Sequence, residues 1–167
     1  MKIIGLVMLI GSFVTIGYRC SNKFNVRINF LQQYLQFIAY IETKIRYSPE
    51  VIYDLVDGYR CENEFKDFLE LVSKEILNNR DFESAWNYTV TALSSKYGLC
   101  FEDRELLKSF SKNIGTSDID GQLNYCQLNK ELARDRLNCA KEAKEKKGKL
   151  YFMLWSILGV SLALVLA

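Results

Sequence analysis

Two uncharged, strongly apolar runs, 3–18 and 150–167, bracket this chain of 167 residues, and nearly all of its charge lies between them. The second run is 18 residues long; wound as an α-helix it rises about 27 Å, close to the hydrocarbon thickness of a bilayer. Tyr151 and Trp155 stand near its entry, where amphipathic rings favour the membrane interface. The first run, 16 residues, covers about 24 Å as a helix. No small-residue cleavage site follows it, and the large Tyr18 and Arg19 before Cys20 do not fit a lipoprotein signal. Both runs are expected to be transmembrane helices.

The flanks orient them. Arg19, Lys23 and Arg27 follow the first run, and Lys144, Lys146, Lys147 and Lys149 precede the second, while Lys2 is the one charge outside. The positive-inside rule then places 19–149 in the cytoplasm, with these basic residues at the surface of the cell membrane, against its lipids. Five cysteines with no CxxC pair read as reduced thiols, which agrees with that compartment.

One proline and nine glycines in the whole chain are too few turn residues for a sandwich or barrel. The apolar spacing is helical throughout. Phe24, Ile28, Leu31, Leu35, Ile38, Ile41 and Ile45 form one stripe that ends before Ser48-Pro49. A short helix is expected from Pro49 to Gly58, and another over 62–79. Asp81 should cap a helix ending at Gly98, Asp103 one with Gly115 just past its end, and Ser117 a last helix with the stripe Ile119, Leu123, Cys126, Ala133, Leu137 and Ala140. The expected fold is all-α: a compact antiparallel bundle of about six helices at 19–149, between the spans at 3–18 and 150–167.

Charge along the bundle is uneven. Residues 42–120 hold ten positive and sixteen negative charges, densest at Glu62, Glu64, Asp67 and Glu70. That cluster is either a solvated helix face or a docking surface for a basic protein partner; it argues against nucleic acid. Chemistry is scarce. The absence of histidine excludes His-based triads and His-ligated metals, and no Walker A, GxGxxG or GxSxG motif is present. Asp118 with Asp120, and Glu102 with Asp103 and Glu105, read as helix starts. No enzymatic activity, metal or cofactor is expected.

Three stretches carry a resemblance: Leu106-Leu107-x-x-Phe110-x-x-x-Ile114-Gly115-Thr116-Ser117-Asp118-Ile119-Asp120-Gly121-Gln122, Glu42-x-x-Ile45-x-Tyr47-x-Pro49, and Phe82-Glu83-Ser84-Ala85-Trp86. Together with the two apolar ends they resemble the stage III sporulation protein AB family. The resemblance marks Gly115, Ser117, Asp118, Gly121 and Gln122 as a structural junction. It implies a domain similar to the helical domains of type II secretion and type IV pilus platform proteins, in the mother-cell membrane around the forespore. It further implies a non-enzymatic scaffold in a mother cell–forespore channel, with the ATPase stage III sporulation protein AA and other channel subunits as partners. Platform proteins carry two such domains and this chain one, so the resemblance leaves room for a homo-oligomer. The alternative is a membrane-anchored sensor that transmits a signal through its stalk helices.

Overall fold

With no proline before position 49 and no glycine between 18 and 57, nothing in the early chain interrupts a helix. Residues Lys2–Tyr47 accordingly form one helix, α1. The computed structural model describes residues 2–47, 56, 58–60, 64–78, 80–148, 150, 153–154, 157–158 and 161; within 2–21 it describes the side chain of Thr15 alone, and within 144–148 those of 144–146. Four further helices follow: α2 (Glu64–Leu77), α3 (Phe82–Tyr97), α4 (Phe101–Asn113) and α5 (Ile119–Ala143). A π-helical turn, Lys144–Gly148, succeeds α5 where the lysines crowd together. Among the described residues there is no strand and there are five α-helices, against the six or so expected, so the fold is all-α. The sixth was expected at Pro49–Gly58, most of which lies outside the described residues.

The chain divides into two compact units, Arg27–Asn138, and Met1–Val26 with Cys139–Ala167. Among the described residues no helix is long and apolar enough to cross a membrane. The expected spans at 3–18 and 150–167 are therefore not shown; their side chains lie almost wholly outside the described residues.

The Arg27–Asn138 unit is built around α1. The expected stripe is buried at Ile28, Leu31, Ile38, Ile41 and Ile45, but Phe30, Tyr34 and Phe37 are buried just as fully. At 100° per residue these positions cover roughly half the helix circumference, so α1 is a central helix and not a surface one. Phe30 packs edge-on to Phe65 and Phe68 at 5.3 and 5.5 Å and stacks on Tyr97 at 4.8 Å. Trp86 joins the same cluster through Phe68 at 4.9 Å and Phe110 at 5.3 Å, and its indole N–H donates to the Leu107 carbonyl at 2.8 Å. Rings in these arrangements add about 0.5–1.5 kcal/mol per pair beyond the area they bury.

Helix ends follow local chemistry. Asp81 caps α3 by accepting the Ser84 N–H, and Gly98 ends it in the left-handed region at φ 65°. Two expected caps are corrected. The N-cap of α4 is Cys100, not Asp103; Asp103 stands in the first turn and its carboxylate accepts the Cys100 N–H at 3.0 Å. For α5, Asp118, not Ser117, supplies the cap, accepting the Gly121 N–H at 3.1 Å. Ile119, expected to face inward, is exposed at the start of α5.

Candidate functional site

Helix α2 carries most of the acidic cluster that reads as either a solvated face or a docking surface, and its side chains have specific partners. Asp67 is tied to Lys96 of α3 at 2.7 Å, and that hydrogen bond raises the Lys96 ammonium above its ordinary pKa. Glu70 lies 3.5 Å from Lys66, and Glu64 is half-buried at the start of the helix. Glu62 lies outside the described residues. Beside this helix runs a groove of about 550 Å³ with Val56, Leu69 and Leu77 among its walls and Arg60, Lys66, Lys74 and Glu70 around them. Among the described residues that line it, three cations against one carboxylate make this groove basic.

Carboxylates prevail elsewhere. A second groove, of about 420 Å³, runs between α4 and α5, where Leu106 and Leu132 are flanked by Glu102, Glu105 and Asp135 against the single cation Arg136. Sequence reasoning passed over this face because Asp135 is separated from Glu102 by 33 positions, and only the packing of α5 on α4 joins them. The apolar residues between acids, Leu128 and Leu132 on α5, were the available signal.

The basic residues assigned to the membrane surface separate into different roles. Lys23, Lys144 and Lys146 are exposed. The side chains of Arg19, Lys147 and Lys149 lie outside the described residues. Arg27 is corrected: its side chain is only 13% exposed, and its guanidinium grips Asp103, 0% exposed, through Nε at 2.7 Å and Nη2 at 3.0 Å. The same Nη2 donates to the Cys100 sulfur at 3.2 Å, and burial raises that thiol above its ordinary pKa. A two-pronged guanidinium–carboxylate contact fixes orientation as well as distance, so the pair pins α1 to the first turn of α4.

Two further polar ties cross the bundle. Glu42 of α1 pairs with Lys130 of α5, whose hydrogen bond holds the Glu42 carboxyl below the usual carboxylate range. The Tyr34 hydroxyl, fully buried and raised in pKa by that burial, donates to Asn129 Oδ1 at 2.7 Å. Asn129 donates in turn to the Tyr125 hydroxyl at 3.3 Å, and Tyr125 donates to the Ser109 carbonyl at 2.7 Å.

The junction before α5 is geometrically explicit. Gly115 sits at φ 80°, where only glycine is at ease. A Cβ on Gly121 would come within 2.7 Å of Asp118 Oδ1 and 2.9 Å of Ser117 Oγ, so its bare Cα makes room for the cap. Gln122 reaches back to donate to the Ser117 carbonyl at 2.8 Å. Gly115, Ser117, Asp118, Gly121 and Gln122 thus form one turn with a structural task. No group of histidine, cysteine, aspartate or glutamate side chains suited to hold a metal ion occurs among the described residues.

Compared with known proteins, residues 2–167 match the family model described as stage III sporulation protein AB. No curated protein and no solved structure matches the chain.

Proposed function

The chain belongs to the stage III sporulation protein AB family and so has a role in sporulation; on that premise we propose that it is a non-enzymatic platform subunit of a secretion-like channel between mother cell and forespore. Its apolar ends anchor it in the mother-cell membrane, and its helical bundle docks the cytoplasmic ATPase, stage III sporulation protein AA, beside other channel subunits. The observation that carries this reading is the use to which the bundle puts its polar side chains. Asp103, Glu42, Asn129 and Asp118 each hold one helix to another or close a helix end. Among the described residues, charge exposed on helix faces, as at Glu102 and Glu105, suits a protein that binds proteins. The α4 side of the acidic groove, Glu102 and Glu105, is the docking face for the ATPase.

Co-purification from sporulating membranes in mild detergent tests this. The ATPase should elute with the full chain, and the pair Glu102→Lys with Glu105→Lys should release it while the chain keeps its helical circular dichroism. Undiminished co-elution with that variant would remove this face from the proposal. Failure of the ATPase to elute with the wild-type chain would remove the docking role itself.

A further inference from the structure

We propose that the bundle associates head to tail with further copies of this chain, the outer ridge of α5 on one copy seating in the α2 groove of the next. The ridge is made by Leu128 and Leu132, four residues apart and hence neighbours on one helix face. They are 53% and 45% exposed. Glu131 and Asp135 stand beside them, and neither forms an ion pair among the described residues. The groove is the matching half. Its walls include Leu69 and Leu77, the latter 72% exposed, and its space of about 550 Å³ is ample for two leucine side chains. Arg60 and Lys74 on its edge form no ion pair among the described residues either.

The charges complement each other in sign. The groove offers Arg60, Lys66 and Lys74 to the ridge's Glu131 and Asp135, while the minority charges, Glu70 on the groove and Arg136 beside Leu132 on the ridge, are again opposite. An amphipathic helix with leucines at i and i+4 entering an apolar groove is a recurrent mode of recognition, in which the leucines anchor and the charges set register. Ridge and groove share no residue, so each copy that uses its ridge keeps its groove open. Such a contact is heterologous and extends until a ring closes. Leu132 and Asp135 also line the groove whose α4 side is given to the ATPase, so the test of self-association is made without the ATPase and its outcome is separate from the docking role.

Sedimentation velocity on the full chain in mild detergent, with no other protein present, tests it. The wild-type chain should gain mass as its concentration rises. Two variants, Lys66→Glu with Lys74→Glu, and Glu131→Lys with Asp135→Lys, should each associate about tenfold more weakly, as expected for loss of paired charge at an interface. An equimolar mixture of the two should recover association, because each reversed surface then finds its opposite on the other variant. Leu132→Ser removes an exposed anchor without touching charge and should weaken association as well. A wild-type chain that stays monomeric, variants that associate as the wild type does, or a mixture that fails to recover would each overturn the proposal. So would undiminished association of Leu132→Ser.

Discussion

Replacing Arg27 by methionine leaves the Asp103 carboxylate buried with no cation against it, and breaking such a pair costs about 3–5 kcal/mol. Urea unfolding of the full chain should show that loss, with a much smaller one for Lys23→Met, whose side chain is exposed. Glu42 gives a pH signature. Its carboxyl is held below its ordinary pKa by Lys130, so its stabilising contribution is present above the ordinary carboxylate range and fades as pH falls through the lowered folded value. The melting temperature of the wild-type chain should exceed that of Glu42→Gln at neutral pH, and the gap should narrow progressively as pH falls below the ordinary carboxylate range. An unchanged gap at low pH would contradict the assignment. At this scale the sequence was legible for helix caps such as Asp81 and illegible for Arg27. Three basic residues follow the first apolar run, and nothing local separates Arg27 from Arg19 and Lys23; what buries it is Asp103, 76 positions away.

Helix-level features were easier to anticipate, since periodicity and stop residues are local properties. The α3 boundaries at Asp81 and Gly98 fall where the sequence places them. Those of α4 and α5 are displaced because acidic residues in a first turn and acidic residues at a cap look alike in one dimension. Asp103 belongs to the first kind and Asp118 to the second. The stripe on α1 was read too narrowly for a related reason: a 4-3-4-3 count finds one seam, whereas a helix surrounded by neighbours buries the aromatic residues beside that seam too. The junction before α5 makes a prediction at this level. Asp118→Ala removes the cap and should cost about 1 kcal/mol. Gly121→Ala drives a methyl into the same oxygen and should cost a similar amount by displacing it. Because both act on one hydrogen bond, their combination should cost less than the sum, as measured by thermal unfolding of the single and double variants.

For the whole molecule, the two apolar runs orient the proposed function, because a bundle that docks a cytoplasmic ATPase must face the cytoplasm. An all-α bundle follows from composition and spacing; the aromatic core that Phe30, Tyr34 and Phe37 of α1 join does not. Nor does the acidic face: two carboxylates of the densest cluster along the chain, Asp67 and Glu70 on α2, are partnered by lysines in space, and the groove where acids prevail draws on α4 and α5 together. The cysteines offer a direct reading of sidedness. Cys139 is exposed, while Cys126 is buried and its thiol is pushed up to about 11, so at neutral pH Cys139 should alkylate and Cys126 should not until the chain unfolds. The decisive measurement treats intact sporulating cells with a membrane-impermeant maleimide and follows the Cys139 peptide by mass spectrometry. Cys139 should remain unmodified until the cells are permeabilised and then label fully; modification in intact cells would place the bundle on the opposite side of the membrane from the ATPase and contradict its docking role.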